Sequence, residues 1–269
     1  MNSLTLSEIN IFPVKSLGGI SLQSSVVEER GLKYDRRWLL VDGNGMFMTQ
    51  RDFPQMALIE LSLSENNLTI KHKSDTSLPA ISIPLKYFSD ERIDVIIWDD
   101  KCKAVPVNKE YDDWFSETLK MKCRLVKMPD DERRVVEKKF ISEDKIVSFA
   151  DAYPFLIIGQ SSLDDLNSRL ETPLPMNRFR TNFVFTGGKP FEEDKWNNFN
   201  IGEVKFKAVK PCARCVITTT DQETGKRSEE PLRTLATYRK SKNKVLFGMN
   251  LISFSAGTVK VGDSITLID

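Results

Sequence analysis

Histidine is nearly missing from this chain: His72 is the single imidazole in 269 residues. It sits in the polar run Lys71-His72-Lys73-Ser74-Asp75, the setting of a surface residue. A histidine-centred triad or multi-histidine metal site is therefore excluded. A surplus of either charge is missing too, with Lys+Arg 39 against Asp+Glu 38 and a formal net charge of +1. A general nucleic-acid binder needs excess cations to displace counterions, so any anion site here must be local. Long apolar runs are absent, since the strongest patches, Val95-Ile96-Ile97-Trp98 and Phe155-Leu156-Ile157-Ile158, are far too short to span a bilayer. The N-terminus has no basic residue before Lys15 and no apolar leader core, so we expect a cytoplasmic protein without a membrane anchor. Four cysteines are too few for a disulfide scaffold in a chain this long.

What is present is an ordinary globular composition, 40% hydrophobic and 29% charged, long enough for about two domains. The first hundred residues read as short strands: Leu4–Phe12, Arg37–Val41, Met46–Gln50 beyond the turn Asp42-Gly43-Asn44-Gly45, Met56–Leu63, Leu68–His72, Ala80–Ile83 and Asp94–Ile97. They predict a β-barrel or sandwich. Asn108 then caps a helix that places Tyr111, Trp114, Phe115 and Leu119 on one face. The charged stretch Met128–Lys139 has the composition of a mobile linker or surface loop. In the second half, Ser161 with Asp164 resembles a capping box before Leu163, Leu166 and Leu170. Strands are expected at Asn182–Phe185, Glu203–Val209, Val216–Thr220 and Val259–Leu267, with a helix from Pro231 carrying Leu232, Leu235 and Tyr238.

Chemistry concentrates at Pro211-Cys212-Ala213-Arg214-Cys215, where Lys210 and Arg214 favour a thiolate, the form that attacks or binds a metal. Plain packing of both cysteines stays open. Zinc would need Cys102 and Cys123, which are not spaced as a second pair and lie in the other half. A redox pair expects an α/β unit rather than these β-rich surroundings. Four basic segments lie near strand ends: Pro13-Val14-Lys15-Ser16, Asp35-Arg36-Arg37-Trp38, Asn177-Arg178-Phe179-Arg180 and Lys210–Arg214. Each alone reads as a solvated face; brought together they would make an anion pocket. Gly18-Gly19 and Gly187-Gly188 are turn signals, not phosphate loops. The cysteine spacing also fits no iron–sulfur cluster.

The segments PVKSLGG, ERGLKYDRRWLLVD, FMTQRDFPQMALI, PFLIIGQSSLDDLNSRL, NRFRTNFVFTG, FKAVKPCARCVITTTDQETG and GTVKVGDSI occur in the order seen in MOSC-domain proteins. Over nearly its whole length the chain resembles the branch containing amidoxime-reducing components and bacterial N-hydroxylated-base reductases. The resemblance implies a mainly β, α+β chain, with an N-terminal MOSC β-barrel domain over 1–125 and a MOSC domain over 126–269. It implies molybdenum cofactor, an anionic phosphorylated pterin, with Cys215 as metal ligand, a soft donor suited to such a centre. Lys15, Ser16, Arg36, Arg180, Asn182, Arg214 and Asn250 match cofactor-binding positions, and Asp151 is a catalytic candidate for positioning or proton delivery. The implied activity is reduction of hydroxylamines, N-hydroxylated bases or amidoximes, a detoxifying role, with electrons from a separate reductase or carrier. Pyridoxal phosphate binding is a further association of such domains. The alternative is a cofactor or sulfur carrier without reductase activity. Departures from the pattern are Ala152 and Tyr153 after Asp151, where hydroxyl residues are frequent, Ala213 in place of serine, and Asn250 in place of tyrosine; only the Tyr153 phenol could restore a hydroxyl contact.

Overall fold

The computed structural model describes residues 3–87 and 89–268. It is mostly β, with three α-helices: α1 (Lys109–Leu119), α2 (Gln160–Asn167) and α3 (Leu232–Tyr238). The largest sheet runs in the spatial order Ile265–Ile268, Asn198–Ile201, Val204–Arg214, Lys244–Ser253, Phe155–Gly159, Phe183–Thr186, Thr5–Ile11, Ile20–Leu22. Its pairs are antiparallel except Phe155–Gly159 with Phe183–Thr186, whose parallel pairing needs a crossover, and α2 lies on it. The first strand of the chain thus completes a sheet built mainly from the second half. Likewise Ser24–Glu28 pairs with Gly257–Lys260. Smaller sheets join Trp38–Val41, Arg124–Lys127, Asp100–Pro106 and Ile93–Ile97, and Ile59–Leu63, Asn67–His72 and Ile81–Pro84.

Two principal cores follow from this pairing. One gathers Trp38, Leu40, Ile59, Leu68, Ile83 and the apolar face of α1. The other is rich in phenylalanine: Phe155 lies against Phe183 and edge-on to Phe206, which stacks on Phe199. Tyr34 and Ile20 touch both cores. Helix α1 forms as its sequence predicts: Asn108 accepts from the Glu110 N–H, and Trp114, Phe115 and Leu119 are buried.

Elsewhere the structure departs from expectation. Val216–Thr219 is a 3-10 turn, not a strand. The Thr218 hydroxyl donates to the Cys215 carbonyl and the Thr219 hydroxyl to that of Val216, local bonds that favour a turn over a ladder. Ser161 makes no capping box; Gly159 is the N-cap of α2 and offers no side chain. Met46–Gln50 is held only by isolated bridges. Met128–Lys139 is loop but firmly tied: Arg134, 5% exposed, donates to Asp100 and to the carbonyls of Ser148, Ala150 and Asp151. Among the described residues no helix is long and apolar enough to cross a membrane.

Candidate functional site

The four basic segments meet at the seam between the two halves. One pocket of about 140 Å³ is lined by Lys15, Ser16, Arg36, Asp151, Arg180 and Asn182 together with Arg214, Cys215 and Asn250. Every site residue singled out from the sequence therefore borders one cavity. A larger one, about 510 Å³, is lined by Phe12 and carries Glu8, Glu60 and Glu223 with Lys73. Charge decides between them, because a carboxylate-lined cavity repels an anion.

The backbone is bent to point the cations inward. Ser16, Arg36 and Arg180 all have positive φ, at 67°, 48° and 53°. This left-handed region costs a side chain about 1–2 kcal/mol and persists where surroundings enforce it. Here Arg36 and Arg180 each lie 4.3 Å from the Phe12 ring centroid, so one aromatic ring supports both guanidiniums. Arg36 is bound to Asp35 at 2.5 Å and to the Arg180 carbonyl at 3.1 Å. Arg180 donates to the Leu17 carbonyl, and Arg214 to the Phe179 carbonyl and the Cys212 sulfur, the latter at 3.1 Å. Among the described residues Arg180 and Arg214 have no carboxylate ion-pair partner. Burial, with Arg36 beside it, pulls the Arg180 pKa down. The Arg214 Nε is buried with no partner. Arg180 and Arg214 thus carry charge that the neighbouring carboxylates do not pair directly.

Lys15 and Asp151 form its most tightly coupled pair, Nζ to Oδ1 at 2.6 Å. Burial opposes charge on Asp151, but Lys15 and the Trp98 indole N–H outweigh it and hold the carboxyl well below the usual carboxylate range. A carboxyl held this low favours the positioning role of Asp151, which fixes the Lys15 ammonium. Burial lowers Lys15 to about 8 against the attraction of Asp151, which leaves its ammonium the proton-bearing group of the pair near neutrality.

The sign of this shift fixes a pH dependence. A bound anion favours protonated Lys15, so affinity is full below the free-protein pKa and declines above it. Sulfate keeps its charge across this range, and its affinity, followed by calorimetry, should fall roughly tenfold between about pH 7 and about pH 9. The Lys15→Met variant should bind weakly with no such slope. A flat wild-type profile would mean that Lys15 does not face the anion.

Cys215 ends the long strand Val204–Arg214 and starts the 3-10 turn. It is a free, partly exposed thiol whose sulfur makes no hydrogen bond among the described residues. Cys212 is free as well, with its sulfur engaged by Arg214. Cys102 and Cys123 are buried, and burial pushes both thiols up to about 11. No group of three or more His, Cys, Asp or Glu suited to a metal exists among the described residues.

Several expectations shift in detail. The Asn182 amide spends both donors on the Asn10 carbonyl and Asp35 and accepts from the Leu156 N–H, which leaves acceptor capacity on its oxygen. Asn250 donates to the Lys210 carbonyl. The Tyr153 phenol turns away to the Glu137 carbonyl, so it restores no hydroxyl to the pocket. Arg37 and Arg178 pair elsewhere, with Asp130 and Asp221, and Lys210 pairs with Glu137. Arg51 was missed: it lines the pocket and lies 3.9 Å from the Trp98 ring centroid. Its one signal was its place in FMTQRDFPQMALI.

The donor set suits a phosphorylated pterin with a soft metal: two guanidiniums without a carboxylate partner, an orphaned guanidinium N–H, and two free thiols of which Cys215 alone makes no hydrogen bond among the described residues. Comparison with known proteins points the same way. The chain is 33% identical to the mitochondrial amidoxime-reducing component 1 of Mus musculus, covering 98% of this chain and 82% of the relative. It is likewise 33% identical to the mitochondrial amidoxime reducing component 2 of Bos taurus, covering 97% and 82%. A molybdenum cofactor sulfurase of Oryza sativa subsp. japonica is 31% identical over 93% of this chain, which spans only 33% of that longer protein. The model of the MOSC N-terminal beta barrel domain matches residues 3–122 and that of the MOSC domain residues 144–266; the chain belongs to the MOSC-domain family.

Proposed function

We propose that this protein is a molybdenum-cofactor oxidoreductase that reduces N-hydroxylated compounds. The observation that carries the reading is the convergence of Lys15, Arg36, Arg180, Arg214 and the free Cys215 on one pocket. The cofactor's phosphate would be gripped by the arginines and Lys15, and its metal would be ligated by the Cys215 thiolate. What the cofactor supplies when bound is two-electron removal of oxygen from an N–O bond. The overall change takes up two electrons and two protons and releases amine and water. Asp151 holds the Lys15 ammonium in place, and Lys15 Nζ can release a proton near neutral pH. Electrons come from a separate reductase or carrier, and the four free thiols agree with a reducing, cytoplasmic setting.

Protein purified from a host that makes the cofactor should contain about one molybdenum and one fluorescent pterin per chain. Given a chemical reductant, it should convert a hydroxylamine to the amine, or an amidoxime to the amidine, over many turnovers. Absence of molybdenum from the wild type would sink the reading. Stoichiometric molybdenum without amine would leave the carrier role, the reading favoured by the sulfurase relatives.

A further inference from the structure

We propose that Trp98 is the substrate-facing wall at the pocket mouth and selects planar, π-rich N-hydroxylated compounds over small aliphatic ones. The inference rests on the reductase reading above and adds a specificity residue to it.

Trp98 occupies a place that local chemistry assigns to another residue. Ile97 and Asp100 pair across a hairpin, leaving Trp98 and Asp99 as a two-residue turn. The first central residue has φ 56°, a position where such turns favour glycine because a Cβ is strained there. A tryptophan in this place is also 47% exposed. Turn formation and burial both argue against it, so something other than folding accounts for the residue.

Its surroundings hold it still. The indole N–H donates to Asp151 Oδ1 at 3.1 Å, the oxygen that also receives Lys15. The Arg51 guanidinium lies 3.9 Å from its ring centroid, and Phe47 meets it at 5.1 Å with a 59° tilt. An exposed ring anchored to Asp151 and Arg51, both of which line the pocket, is a preformed stacking surface beside the site. Planar amidine or heteroaromatic groups gain from such a face, whereas a methyl or ethyl group has little surface to offer it.

The test separates binding from turnover. Trp98 is the exposed one of four tryptophans, Trp38, Trp114 and Trp196 being buried, so fluorescence quenching by small ligands reports on Trp98. Benzamidine should quench the cofactor-loaded protein, acetamidine should not, and Trp98→Gly should abolish the benzamidine signal. In turnover, Trp98→Gly should raise the KM of benzamidoxime about tenfold relative to that of N-methylhydroxylamine, while loss of the indole bond to Asp151 lowers kcat for both substrates alike. Trp98→Phe, which keeps a ring, should recover most of the difference. Glycine relieves the positive φ of the turn, which offsets the loss of the contacts to Asp151, Arg51 and Phe47, so Trp98→Gly should still fold, as urea denaturation would show. Unchanged selectivity in Trp98→Gly would overturn the proposal. So would a rise confined to the half-saturating concentration of the electron donor, since Trp98 would then face that protein. Benzamidine quenching without any turnover would instead refute the reductase reading and leave the stacking surface standing.

Discussion

Cys215→Ser is expected to empty the protein of molybdenum, from about one atom per chain to less than roughly a tenth. A thiolate is a soft donor available near neutral pH, whereas a serine hydroxyl stays protonated there and is hard. The loss should not reflect unfolding. Cys215 is partly exposed and its sulfur makes no hydrogen bond among the described residues, so the variant should unfold within about 0.5 kcal/mol of wild type. The necessary comparison is Cys212→Ser. Cys212 accepts from Arg214, and serine can accept the same bond, so this variant should keep most of its metal. Inductively coupled plasma analysis of both variants, beside urea denaturation, decides the matter. If Cys212→Ser lost the metal and Cys215→Ser kept it, the assignment would be reversed; if both kept it, the cations alone would hold the cofactor.

The basic segments were legible beside strand ends, but their convergence became an expectation only through the family resemblance, because no local pattern brings four distant segments together. Helix α1 was legible because cap and apolar face agree. What escaped has physical reasons. Val216–Thr219 is β-branched, and composition reads it as strand, yet the threonine hydroxyls bond backward and close a turn. Lys244–Ser253 showed no alternation because both its faces are largely buried in the middle of the sheet. Met128–Lys139 looked like a free loop because buried arginine is rare, but Arg134 spends its guanidinium on carbonyls. Arg51 and Trp98 come together only through pairing of distant segments, such as the Met46 to Ile96 bridge, which no local pattern announces. Asn182 borders the pocket, but sequence could not show that its two amide donors go to Asn10 and Asp35.

Asp35→Ala is expected to be the most damaging single change to stability near the site. Asp35 is fully buried, and its carboxylate accepts from the Phe12 N–H at 2.7 Å, Arg36 at 2.5 Å and the Asn182 amide at 3.2 Å. It therefore ties the end of the first strand, a pocket cation and the residue leading into Phe183–Thr186. Alanine would leave a largely buried guanidinium without its counter-charge and two N–H groups unmet, a loss of about 3–5 kcal/mol. Against a total stability on the order of 5–15 kcal/mol, that is a large fraction. In a chain of this size the melting temperature should drop by roughly 10 °C. The double variant Asp35→Leu, Arg36→Met removes both charges and should recover part of the loss, because an apolar pair of similar volume avoids the desolvation that an unpaired ion suffers. Recovery of stability without recovery of sulfate binding would separate the two roles of this pair: Asp35 holds the seam closed, and Arg36 gives it an anion to hold. A single variant within about 1 kcal/mol of wild type would show that the seam closes without Asp35 and that its bonds are replaceable by water.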